Sequence, residues 1–417
     1  MSASVVAQTA FSNSMQETVL YSFGGLDGAG SLFGVIVDAN GNFYGATVFG
    51  GPAKAGTVFK LAPNGPGYNE SVLYAFTGGS DGSGPLGGLV ADKHGALYGI
   101  TGGGGIQGCF AGCGVAFKLT PRKSGYKFSV LYSFRGYPDI NSPVGTPVRD
   151  RSGAIYGVSQ FGGSSNYGAV FKLTPGKSGY TESLLYSFPG GAAGYLPQAG
   201  LTIDNKGTLY GTTYYGGTGT CSGGCGTVFR LKRGKSGYTE SVLYSFKDYT
   251  DGNQPFAALT VDEVTGDLYG TTQYGGAKMI GTVFKLTKSG SSYVESILHS
   301  FDCGGYGNPE GCLPEAQLLL RPDGTLYGTN VLGGGGCNGI GCGSVFQLTP
   351  SPSGYSFQNI YNFGDPLNGA EPELGGLISD ANGVLYGTTR SGGAKTDCYD
   401  GGPGGALGCG VVFTLTP

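Results

Sequence analysis

Four glutamates and one arginine are the residues of this chain whose types and spacing best suit chemistry. Glu310 and Glu315 form one close pair, Glu371 and Glu373 another, and Arg390 follows. Two carboxyl groups can divide acid and base work when their surroundings keep one protonated and the other ionised. Placed either side of a glycosidic bond, such a pair cleaves it. A nearby guanidinium holds one carboxylate ionised or orients a substrate. The plain alternative is that loop glutamates are solvated or cap turns.

Those residues can meet only if the chain brings distant segments together, and a repeat does so. The unit runs Leu-Tyr-Gly-Thr-Thr, Gly-Gly, Gly-Thr-Val-Phe-Lys-Leu, Ser-Gly-Tyr, Val-Leu-Tyr-Ser-Phe. Its central Tyr-Gly falls at Tyr44, Tyr98, Tyr156, Tyr210, Tyr269, Tyr327 and Tyr386, a period of 54 to 59 residues. Repeats of that size build solenoids, propellers or arrays. Glycine accounts for 86 of the 417 residues without a collagen period, and apolar residues alternate or cluster in short runs, so many short strands joined by tight turns are expected. One copy reads as strands at 88–92, 96–101, 115–119 and 129–134. A four-stranded meander repeated radially is a propeller blade. We letter its strands A to D, with A nearest the axis.

The chain opens on a lone strand D at 18–23 and closes on strands A, B and C of the last copy. The expected fold is all-β: a seven-bladed propeller over 18–417, its last blade closed three-plus-one by the first strand, preceded by a tail at 1–17. Such closure removes the open sheet edge.

The meander separates two faces. The D–A and B–C loops lie on one, here the top, and the A–B and C–D turns on the other. Of 28 tyrosines, 19 recur at repeat positions and read as scaffold. The other nine fall in top loops: Tyr137, Tyr167, Tyr195, Tyr214, Tyr215, Tyr249, Tyr274, Tyr306 and Tyr399. Rigid aromatics on a loop face resemble a binding surface, and with Asp139 and Asp251 all but Tyr167 and Tyr399 are taken as the ligand-binding set. The top carries thirteen acidic residues against six basic ones. It suits neutral glycans, a cationic or protein partner, or Ca²⁺, and suits nucleic acid poorly. No metal site is assigned and no cofactor is required. The acids, Glu315 and Glu371 foremost, lead into blades 6 and 7, and Arg390 breaks a position held elsewhere by Val, Gly, Gln or Tyr. His94 falls in a bottom turn and His299 replaces a strand-D tyrosine, so both are expected away from the acidic top. The aspartate before each A–B turn reads as a turn former rather than a ligand.

Ten cysteines fall into five close pairs, all in top loops: Cys109 with Cys113, Cys221 with Cys225, Cys303 with Cys312, Cys337 with Cys342, and Cys398 with Cys409. Local disulfides are the favoured reading, since no histidine lies near any pair and the pairs belong to different repeats; a metal site is the alternative. Residues 1–17 do not read as a signal peptide as written, but the cysteines argue for an oxidising compartment. No apolar run approaches a membrane span. A monomer is expected.

The unit LYGTT…GG…GTVFKLTP…YTESVLYSF resembles the GloVer tandem repeat of the "choice-of-anchor" bacterial surface proteins, over essentially residues 18–417. The resemblance implies an exported, propeller-like protein, secreted, at the cell surface or periplasmic. Members are often tethered by a variable C-terminal anchor, which is not expected in a chain ending at Pro417. It carries over no catalytic residue. Three functions stay open: a glycan- or protein-binding propeller, a polysaccharide-active enzyme (glycoside hydrolase or lyase) built on blades 6 and 7, and a structural envelope protein.

Overall fold

The structure, a computed structural model, describes residues 15–106, 108–235, 237–303, 310–335, 337, 341–395, 397–398 and 408–417. Its strands form seven four-stranded antiparallel sheets in ring order, and no α-helix occurs among the described residues. Blade 4 serves as the type: Thr202–Ile203, Leu209–Thr213, Thr227–Gly234 and Gly237–Ser245. Strand A is shorter than expected, two residues in six blades and ten in blade 3 (Ile140–Arg149). Near the axis the backbone also bonds to the neighbouring blade, as where Gly145 N of blade 3 donates to Leu86 O of blade 2 at 2.6 Å.

The repeat is explained by packing. The strand-B glycine sits under the strand-C phenylalanine of its own blade, Gly211 opposite Phe229. A Cβ on Gly211 would stand 2.5 Å from Phe229 Cζ, so this position has no room for a side chain. Gly211→Ala is expected to cost about 1–3 kcal/mol by overpacking. Thermal melting reads this out, and an unchanged Tm would mean that the ring steps aside freely. The phenylalanine ending strand D then meets the strand-C phenylalanine of the next blade edge to face. The contact recurs seven times with centroids 4.9 to 5.2 Å apart, from Phe23–Phe59 around to Phe363–Phe413. Every member of these pairs is buried. Each such contact adds roughly 0.5–1.5 kcal/mol beyond area burial.

The A–B aspartates are turn formers. Asp38 Oδ1 accepts from Asn40 N and Asn42 N, and Oδ2 accepts from Tyr44 OH at 3.0 Å. Asp92 and Asp150 repeat the pattern. Gly41 takes the left-handed conformation (φ 76°) that the turn demands.

Closure is three-plus-one. Strand Gln16–Ser22 pairs antiparallel with Val411–Thr416, from Gln16 opposite Thr416 to Ser22 opposite Val411. The ladder thus begins two residues before the expected 18. All five cysteine pairs are disulfides. No helix of the described residues is long and apolar enough to cross a membrane.

Candidate functional site

Six of the seven D–A loops turn at a proline into strand A, blade 1 having Ser31 there, and the residue after that proline stands toward the top of the axial channel. Gln198, Phe256 and Glu315 occupy this position in blades 4, 5 and 6, and all three line a cavity of about 260 Å³. Phe33, Val148 and Leu374 supply apolar wall; Thr202 and Gln317 add polar groups. A second cavity of about 350 Å³ shares Thr146, Gln317 and Leu374 with it.

In blades 3, 4, 5 and 7 the residue capping strand B is polar and bonds to a neighbour of this rim, giving a partial polar belt in three segments. Gln160 donates to Gln198, and Tyr214 OH donates to Gln273 Oε1 at 2.9 Å. Gln273 Nε2 donates to Glu315 Oε1 at 2.6 Å, and Arg390 Nη1 donates to Glu373 Oε1 at 2.6 Å. Arg390 and Glu373 form an ion pair, the carboxylate side chain only 14% exposed.

Electrostatics separates the two carboxyls. Burial pushes Glu315 up to about 7, and the charge of Glu373 adds to the rise against smaller opposing effects of Gln273 and Arg390. Burial also raises Glu373 and the charge of Glu371 adds to the rise; Arg390 opposes both by charge and hydrogen bond, and the net direction is still upward. Glu315, raised to about 7, thus lies within electrostatic reach of a second raised carboxyl that has an arginine partner. Two carboxyls in unequal surroundings are a starting point for general acid–base chemistry.

The other two glutamates are held differently, although Glu371 still acts on Glu373 by charge. Glu371 has a left-handed backbone (φ 56°), and its side chain accepts from Ser391 Oγ at 3.1 Å. Glu310 bonds His299 Nε2 at the outer seam between blades 5 and 6. This corrects the expectation for His299, which does meet an acid of the top loops. The reason is a paired exchange. In four other blades the strand-D tyrosine donates to the D–A loop aspartate, as Tyr21 does to Asp27 and Tyr244 to Asp251, both at 2.6 Å. His299 and Glu310 replace both partners at one seam. His299 also stacks on Phe357 at 4.0 Å, as Tyr74 stacks on Phe128 at 3.9 Å.

Asp139 and Asp251 belong to this seam system: Asp139 accepts from Tyr132 OH, while Asp251 also accepts from Lys247 N and Asp248 N. The tyrosines divide. Tyr167, Tyr195, Tyr215 and Tyr214 form a continuous track with successive centroids 5.2, 5.4 and 4.6 Å apart, and Tyr214 meets Phe256 of the axial cavity at 5.6 Å. Tyr274 lies at this end too, bridged through its backbone to Asn253. Tyr137 and Tyr249 are exposed and outside the ring contacts of the track, though Tyr137 OH donates to Ser164 O in the loop that carries Tyr167. Tyr306 and Tyr399 lie outside the described residues. Among the described residues no group of three or more His, Cys, Asp or Glu converges on a metal-sized site. Gln198, Phe256 and Gln273 are additions to the candidate set. Their signal was in the repeat: the position after the D–A proline varies as Leu86, Val144, Gln198, Phe256, Glu315 and Glu373 while its neighbours stay alike.

Residues 106–340, more than half of the chain, match the Gloeobacter/Verrucomicrobia repeat. The chain belongs to this family. No functionally curated protein matches the sequence of this repeat propeller. Among solved structures it is similar to a fungal alcohol oxidase of the AA5 family in complex with copper, at 13% identity and a TM-score of 0.56, covering 97% of this chain and 76% of that one. It is also similar to a protein from Lactobacillus plantarum, at 14% identity and a TM-score of 0.51, covering 79% and 84%. A putative glucose dehydrogenase from Thermus thermophilus matches at 15% identity and a TM-score of 0.45, covering 79% and 96%. At such identities the likeness concerns the fold alone.

Proposed function

We propose that this repeat propeller is an exported glycan-binding protein that holds the end of a neutral saccharide chain in the axial mouth. The observation that carries the reading is the convergence, on one cavity, of an apolar and aromatic wall with Gln198, Thr202, Gln317 and Glu315. Sugars offer the matching chemistry, apolar C–H faces and a rim of hydroxyls, and ligand sites generally pair apolar lining with few placed polar groups. The tyrosine track leads outward from Phe256 and provides further stacking surface for a chain longer than the cavity. Five disulfides favour an oxidising location such as a cell surface or periplasm. A protein partner is the weaker alternative, because the lining residues converge on a cavity of about 260 Å³ rather than on a flat face. The reading needs no cofactor.

A second reading is favoured by one observation, two neighbouring carboxyls in unequal surroundings: Glu315, pushed up to about 7 by burial, and Glu373, ion-paired with Arg390. That contrast suits cleavage of a glycosidic bond with Glu315 as acid and Glu373 as base or nucleophile. A panel of neutral oligosaccharides tests both readings, by binding and by release of reducing ends. Binding without cleavage is the expected result, and absence of binding to every member of the panel would sink the first reading. If reducing ends appear and Glu315→Gln leaves their rate unchanged, the acid is misassigned.

A further inference from the structure

The face opposite the axial mouth carries a departure from the repeat confined to two adjacent blades. Strand C ends on Thr-Pro in blades 2, 3, 6 and 7, at Pro121, Pro175, Pro350 and Pro417, and on Ala62-Pro63 in blade 1. In blade 4 the same positions are Lys232 and Arg233, and in blade 5 they are Thr287 and Lys288. The register is unchanged: Arg233 stands opposite Tyr238 as Pro175 stands opposite Tyr180. The fold therefore does not require these cations.

The structure gathers them. Lys232, Arg233 and Lys288, with Lys206 and Arg230, line one cavity of about 230 Å³ between blades 4 and 5. None of the five makes an ion pair among the described residues. Arg230 Nε is buried without a hydrogen-bond partner. The nearby acids are engaged by the protein itself. Asp204, which lines the cavity, accepts from Lys206 N, Thr208 N and Tyr210 OH. Asp262 accepts from Val264 N, and Glu263 accepts from Asn205 N. Asp267 pairs with Lys285 and accepts from Lys288 N. Cations held this close repel one another, and an anion between them relieves that repulsion and satisfies the guanidinium donors.

We propose that the blade 4–blade 5 seam of the bottom face is a second binding site, for a tetrahedral oxyanion ester carried on a larger molecule. Arg230 and Arg233 provide planar donors for phosphate or sulfate oxygens, and the three lysines provide charge without fixed geometry. The cavity holds one such group, and the exposed side of the seam leaves room for the chain bearing it. Phosphate and sulfate esters share this chemistry, so the source is decided by the probe that binds. This site is independent of the axial mouth.

Calorimetric titration of the intact protein with tripolyphosphate and with a sulfated trisaccharide, at low and high sodium chloride, tests the proposal. At least one probe is expected to bind at low salt and to weaken at high salt. The triple variant Lys232→Thr, Arg233→Gln, Lys288→Gln is expected to lose about tenfold or more in affinity while keeping its Tm. The control variant Lys123→Gln, Lys127→Gln, Lys177→Gln removes three cations from blades 2 and 3 and is expected to stay within about twofold. Absence of binding of both probes at low salt, or an equal loss in the control, would overturn the site.

Discussion

A chain lacking residues 15–23 does not form a closed, cooperatively melting ring. Those residues supply strand D of the last blade, which otherwise has only three strands, and they pair along Val411–Thr416 through six register positions. They also supply Phe23, fully buried against Phe59 of the first blade at 4.9 Å. Truncating one such buried phenylalanine alone costs about 3–5 kcal/mol. Losing the strand adds an unpaired edge at which another chain can dock. Size-exclusion chromatography and thermal melting are expected to show aggregation and no sharp transition. A monomeric deletion variant with a Tm close to the parent's would show that blades 1 and 7 hold together without the strand.

Thermal stability falls as pH rises from 5 to 8, the reverse of what a ring of paired carboxylates would show. Five strand-D glutamates sit in the outer seams: Glu17, Glu70, Glu182, Glu240 and Glu295. Each has an Oε1 buried without a hydrogen-bond partner. Burial pushes Glu17, Glu70, Glu182 and Glu295 up to about 7 and raises Glu240. Seam acids add to the rise, Asp27 at Glu70, Asp139 at Glu182 and Asp251 at Glu295. A carboxyl whose folded value is raised favours folding fully below its unfolded value, near 4.5. That contribution drains away as pH climbs through the folded value. The turn aspartates act oppositely. Hydrogen bonds from turn amides and tyrosine hydroxyls outweigh partial burial and hold Asp38, Asp92 and Asp150 below the ordinary carboxylate range. Their contribution is present above about 3.8 and lost in stronger acid. Stability therefore peaks in mild acid. Because the seam carboxyls are only half-buried, solvent screening reduces each effect. Summed over five seams, a fall in Tm on the order of 5 °C between pH 5 and 8 is expected. Replacing all five with glutamine should flatten that slope, and a Tm that is level or rising in the parent would contradict the seam account.

The ring was legible because its scaffold is repetitive. A glycine under a phenylalanine and a phenylalanine against the next blade leave a sevenfold mark, and the lone opening strand showed how the last blade closes. The site was legible only in part, since charge is easy to see in a loop and direction is not. Glu315, Glu373 and Arg390 converge, whereas Glu310 and Glu371 look the same in sequence and serve the seam and the loop. The His299–Glu310 pair escaped because each departure was read alone, although both occur at one seam. Gln198, Phe256 and Gln273 escaped because uncharged residues draw no attention until aligned by their place after a proline or at the top of a strand.

The central claim is that ligand binds at the axial mouth rather than on the outer loops. It is tested most directly by titrating one neutral oligosaccharide that binds the parent into two double variants. Phe256→Ala with Gln273→Ala removes an axial wall and a belt member, and is expected to weaken binding by about tenfold or more. Tyr137→Ala with Tyr249→Ala removes two exposed outer tyrosines, and is expected to leave affinity within about twofold. The opposite pattern, binding kept by the axial variant and lost by the outer one, would contradict the account.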